Sequence, residues 1–190
     1  MYKLLALDMD GTLLNSRNEI STENMHWIRQ ALEAGVAVVL ATGRGYPSTL
    51  PFVEQLGLKA PLVLANGGEI WKSPDVLHRR NPLAPEEVIR LRELALQYDT
   101  WYWAYSAMRV YNKSEWIDDV YSTVWMKFGF YTEDAQILAK LPDAIADIGR
   151  FELTNSHPLN LELNPSGVTK ASGLREVCAM LGISMAEVVA

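Results

Sequence analysis

Residues 4–7 are apolar at every position, and the run ends abruptly in Asp8-Met9-Asp10-Gly11-Thr12. A strand with no polar side must be covered on both faces, the habit of a central strand in a parallel sheet. That requirement constrains the fold more than any other stretch and points to an α/β chain. Two carboxylates two residues apart are costly to place together, because like charges that close disfavour joint ionisation. A bound cation or a role in proton transfer would account for the pair. As plain structure, Asp8 and Asp10 would merely cap the turn.

The next stretches repeat the pattern. Ser21 can cap a helix running to about Ala34, with Ile28, Ala31 and Leu32 at helical spacing and Gly35 as its stop. Residues 36–41 form a second all-apolar run. Strand, helix and strand with short connections make a right-handed crossover, so the two strands are expected to be parallel. A second helix over residues 48–56 stops at Gly57, and residues 62–65 give a third buried strand. The three strands deliver Asp8-Met9-Asp10, Thr42-Gly43-Arg44 and Asn66-Gly67-Gly68 to one edge of the sheet. In open parallel sheets that edge is where ligands bind.

Residues 69–82 change to shorter alternating pieces and read as a hairpin leading out of the core. Pro85 then opens a helix with Val88, Leu91, Leu94 and Ala95 on one face. Most of the aromatic residues lie between Tyr98 and Tyr131, including Trp101, Trp103, Trp116 and Trp125. Residues 101–105 and 108–111 look like an antiparallel pair. A helical stretch over residues 132–148 and two strands, 151–154 and 159–163, complete the insert. Large side chains let a small module build a core of its own; alternatively, one or two of them line a substrate pocket. Asn164-Pro165-Ser166-Gly167 returns the chain to the main domain. Val168-Thr169-Lys170 opens a helix that carries Leu174, Val177, Cys178 and Leu181 and ends at Gly182. Val188-Val189-Ala190 is expected to flank the first strand, opposite residues 36–41. The expected division is a discontinuous core, residues 1–81 and 158–190, and an inserted α/β module, residues 82–157.

A net charge of −6 argues against nucleic acid or an anionic membrane as partner. No stretch approaches the roughly 20 apolar residues of a membrane-spanning helix. The run after Lys3 is too short for a secretory signal, and Asp8 and Asp10 interrupt it. The lone Cys178 rules out an internal disulfide and reads as a small core residue. A soluble, cytoplasmic protein is expected.

Asp8-Met9-Asp10-Gly11-Thr12 resembles the first motif of the haloacid dehalogenase-like (HAD) hydrolases, most of which are Mg²⁺-dependent phosphatases. The resemblance implies that Asp8 is the nucleophile and Asp10 the general acid/base. Thr42 resembles the second motif. Lys170 resembles the third, at a helix N-terminus where the dipole also favours an anion. Ala41-Thr42-Gly43-Arg44, Asn66-Gly67-Gly68 and the stretch from Leu161 to Lys170 look like the Cof-type members. Their α/β cap is inserted after the third strand of a Rossmann-like parallel sheet. By this resemblance Thr42, Gly43, Arg44, Asn66 and Lys170 surround a phosphate, and Mg²⁺ is held by the Asp8 carboxylate and the backbone carbonyl of Asp10. Two positions depart from the pattern: Gly68, where Ala is common, and Ala171, where Gly is usual.

The resemblance implies a phosphatase of a small phosphorylated metabolite, working through an aspartyl-phosphate. Family members continue from a strand like residues 188–190 into a Gly-Asp motif that completes the Mg²⁺ site. A chain truncated before that motif is expected to bind Mg²⁺ weakly, to turn over slowly, and to self-associate through an exposed sheet edge. Three other readings compete. One is phosphotransfer between substrates, as in mutases of this fold. Another is a phospho-receiver domain, which the early position of Asp8 and the large insert oppose. The last is a noncatalytic protein that only binds phosphorylated ligands.

Overall fold

The computed structural model describes residues 1–190. The first elements are β1 (Leu4–Leu7), α1 (Thr22–Glu33), β2 (Ala37–Leu40), α2 (Tyr46–Leu56), β3 (Leu62–Leu64), β4 (Glu69–Ser73) and β5 (Val76–Arg80). There follow α3 (Pro85–Gln97), β6 (Trp101–Ser106), β7 (Val110–Asn112), β8 (Trp125–Tyr131), α4 (Ala135–Ala146), β9 (Phe151–Thr154) and β10 (Asn160–Pro165). The chain closes with α5 (Lys170–Leu181) and β11 (Val188–Val189). It divides into two compact units, Met1–Arg80 with Thr169–Ala190, and Asn81–Val168.

In the first unit β1 is central, pairing in parallel with β2 on one side and β11 on the other. Leu4 and Ala6 pack on the side of α5 with Leu174, Val177 and Cys178. Leu5 and Leu7 pack on the other, against the cluster that contains Ile28 of α1 and Val53 of α2. Both faces of the strand are therefore covered, as its composition demands. Ser21 caps α1 by accepting a hydrogen bond from the Asn24 amide, and Gly57 ends α2 in the left-handed region, where a glycine costs least.

The third strand departs from the simple reading. It joins β2 through one parallel bridge, Ala41 to Val63, and pairs with β4 antiparallel. The hairpin of β4 and β5 thus extends the first unit instead of leading out of it. Ile70 explains why: it is buried in the same cluster as Val63, against α5.

The second unit is a five-stranded antiparallel sheet, ordered β7-β6-β8-β10-β9, with α3 and α4 contributing to its core. Its central strand β8 has no counterpart in the sequence reading. Strand β10 pairs with both β8 and β9, so residues 158–168 belong here and not, as expected, with the core. The aromatic residues fill this interior, where Trp116 and Trp125 stack at 5.5 Å and Tyr102 and Phe128 at 5.9 Å.

Candidate active site

Asp8 follows directly on β1, whose last residue, Leu7, pairs with Leu40 of β2. The chain turns at once: the amides of Thr12 and Leu14 donate to the Met9 carbonyl, and Leu13 N–H donates to Asp8 O. Gly11 takes a φ of +73°, and Met9 is fully buried as the anchor of the turn. The two flanking carboxylates are left exposed to about half of their surface. Each meets a different cation.

Lys170 Nζ lies 2.8 Å from Asp8 Oδ2. It is the first residue of α5, whose start is fixed by a reciprocal cap: Ser172 N–H donates to Thr169 Oγ1 and Thr169 N–H to Ser172 Oγ, both at 2.9 Å. The helix reaches this position because residue 173 is glycine. A Cβ there would stand 2.5 Å from Val63 Cγ1, so any larger residue would lift α5 off β3.

Arg44 Nε donates to Asp10 Oδ2 at 2.9 Å, and its Nη2 reaches Asp10 Oδ1 and, at 3.0 Å, Asn18 Oδ1. This fork suits a planar guanidinium and a carboxylate. Arg44 N–H donates to Thr42 Oγ1 at 3.1 Å, which holds the hydroxyl of the fully buried Thr42 in place. Asn66 N–H donates to Thr42 O and Ala65 N–H to Arg44 O, tying the turn after β3 to the turn after β2.

That second turn is under strain. Ala65 and Asn66 both have positive φ, +50° and +58°, and Gly67 follows at +98°. Adjacent non-glycine residues in that region cost free energy and persist only where the surroundings enforce them. Gly67 shows the enforcement, because a Cβ at that position would collide with the carbonyl oxygen of Thr169. The turn is pressed against the start of α5. Gly43 is equally constrained on the other side, with Asn66 Oδ1 at 3.0 Å from where its Cβ would be.

The structure therefore brings Asp8, Asp10, Thr42, Gly43, Arg44, Asn66 and Lys170 to the strand ends of the first unit. Asn18, which braces Arg44, escaped the sequence reading because it sits in a polar loop with no periodic signal.

A family model described as haloacid dehalogenase-like hydrolase matches residues 5–128 and 113–190. The chain is 38% identical over 188 residues to the 5-amino-6-(5-phospho-D-ribitylamino)uracil phosphatase YcsE of Bacillus subtilis, covering 99% of this chain and 75% of that protein. The chain belongs to the haloacid dehalogenase-like hydrolases. Within them it is a Cof-type phosphatase, a phosphoric monoester hydrolase. A haloacid dehalogenase-like hydrolase from Bacteroides thetaiotaomicron has the same fold, with a TM-score of 0.82 and 27% identity over 99% of this chain and 80% of that one. Another from B. subtilis superposes with a TM-score of 0.86 at 21% identity, over 98% and 81% of the two chains.

No group of three or more His, Cys, Asp or Glu in this HAD chain could hold a metal ion. Asp8 and Asp10 offer hard oxygen donors two residues apart, which fits Mg²⁺. That ion keeps several waters and takes one or two carboxylates together with substrate phosphate. No helix is long and apolar enough to cross a membrane.

Proposed function

We propose that this chain is a Mg²⁺-dependent phosphatase that hydrolyses a small phosphorylated metabolite through an aspartyl-phosphate on Asp8. The observation that carries the reading is the pairing of two neighbouring carboxylates with two separate cations, Lys170 on Asp8 and Arg44 on Asp10. A substrate phosphate entering at Asp8 would find Lys170, the amide-rich start of α5 and the Thr42 hydroxyl as partners for its oxygens.

An Asp8 carboxylate oxygen attacks phosphorus in line, and the bond from phosphorus to the ester oxygen breaks. Asp10, oriented by Arg44, gives a proton to the leaving alkoxide. Asp10 then takes a proton from water, whose oxygen attacks the aspartyl-phosphate, releasing inorganic phosphate and restoring Asp8. Asn66 and Gly43 position the phosphate from the strained turn. Mg²⁺, held by the Asp8 carboxylate and the Asp10 backbone carbonyl, would offset repulsion between the nucleophile and the phosphate. The second unit is read as the inserted cap of Cof-type members.

The YcsE relative makes 5-amino-6-(5-phospho-D-ribitylamino)uracil the first substrate to assay. Phosphate release should require added Mg²⁺ and stop with a chelator. Phosphate appearing on a second organic acceptor, with none free in solution, would favour phosphotransfer. No turnover of any ester in saturating Mg²⁺ would refute the reading.

A further inference from the structure

The sheet of the second unit is apolar on one face only. Tyr102, Ala104, Phe128, Phe130 and Leu163 point into its core. Residues alternating with them point the other way. On β6 these are Trp101, Trp103 and Tyr105, an aromatic at every second position. The phosphate chemistry uses none of them.

Strand register sets their neighbours. Trp103 pairs with Asn112 on one side and Gly129 on the other, and Gly129 pairs with Glu162. Paired residues share a face, so Asn112, Trp103, Gly129 and Glu162 form one row. Gly129 leaves room that the Trp103 indole occupies, since a Cβ there would run into the ring. The indole thus lies across the strand as a plate, half-buried. Asn112 Oδ1 accepts hydrogen bonds from the amides of Ser114 and Glu115, which fixes the orientation of its side-chain amide. In the neighbouring row, Lys127 Nζ sits 4.5 Å from the Tyr105 ring centre and 2.9 Å from Glu162 Oε2.

We propose that this face binds a planar, uracil-like pyrimidine ring, stacked on Trp103 with its edge toward Asn112 and Glu162. An aromatic plate rimmed by an amide and a carboxylate matches a neutral flat ring with both donors and acceptors on its edge. The inference rests on the substrate reading above for the identity of the ring, which the name of the YcsE relative supplies.

Titration of the full chain with 5,6-diaminouracil, a ring without phosphate, tests the inference by calorimetry. The Trp103 indole N–H resonance, assigned with Trp103→Phe, is followed in parallel. Saturable binding is expected, weakened about tenfold in Trp103→Leu, the scale of a lost ring stack, with a displaced Trp103 resonance. Should Trp103→Leu not fold, the resonance of the unaltered chain still decides. Absence of binding, or binding that leaves the Trp103 resonance unmoved, overturns the inference. A chain that binds the ring but hydrolyses no ester refutes the phosphatase reading and leaves this one standing; hydrolysis without ring binding does the reverse.

Discussion

Lys170 and Asp8 form an ion pair with 2.8 Å between Nζ and Oδ2, although one opens α5 and the other follows β1. The pair joins the two segments that make up the first unit at the point where the chemistry is placed. Every consequence for activity runs through it.

Asp8→Asn keeps the shape of the side chain and removes the nucleophilic charge. Turnover should fall to background, while the melting temperature stays within a few degrees of the parent. Asp10→Asn should slow turnover by about 10²- to 10⁴-fold, the usual range for acid/base help. Steady-state phosphate release with both variants checks this, and substantial activity in Asp8→Asn contradicts the mechanism.

Gly67→Ala tests the strained turn. The new methyl meets the Thr169 carbonyl and the backbone is held at a φ of +98°. The cost should be roughly 2–4 kcal/mol, from backbone strain and overpacking together. Because Asn66 is displaced too, kcat should drop alongside stability. Urea unfolding and kinetics on one preparation separate the two effects.

In the second unit, Lys127 and Glu162 are an almost fully buried ion pair, 2.9 Å apart, with Ser156 Oγ donating to the second Glu162 oxygen. Removing one charge strands the other, so Lys127→Met should destabilise by about 3–5 kcal/mol. Lys127→Met with Glu162→Leu should recover much of that loss. A double variant no more stable than the single one would contradict the pairing argument.

Glu187 sits beside β11 and pairs with Lys3 at 2.6 Å, ahead of β1. Its hydrogen bond from Lys3, then one from the Ser184 backbone, holds its carboxyl below the ordinary value of 4.5. A depressed native value means the contribution is present above 4.5 and lost as pH falls through the lower native value. The difference in melting temperature between parent and Glu187→Gln should therefore be greatest near neutrality and vanish in acid. Thermal melts from pH 7 to pH 3 read it directly.

How far the sequence revealed this molecule varies with position. Residues 4–7 and 36–41 are unbroken apolar runs, so β1, β2 and their parallel pairing could be read at once, and the chemistry-bearing residues follow them. Strand β8 could not, because Lys127 and Gly129 interrupt its apolar residues. Only the fold shows that they point to the other face. The end of the insert was misplaced for a similar reason. Asn164-Pro165-Ser166-Gly167 has the composition of a linker, yet Asn164 and Pro165 pair with Glu152 and Phe151. Asn66 was found from its neighbours, but its positive φ comes from tertiary packing and carries no local signature.

The contact of β3 and β4 with α5 also dictates an order of assembly. Val63 and Ile70 are covered by Leu174 and Val177, which are synthesised only after the entire second unit. At ordinary translation speeds that interval is roughly 5–20 s. Throughout it, one side of the nascent sheet stays bare on the ribosome while the antiparallel unit behind it is free to fold. The first unit to begin is thus the last to close, and its apolar side is a natural target for a chaperone during that delay.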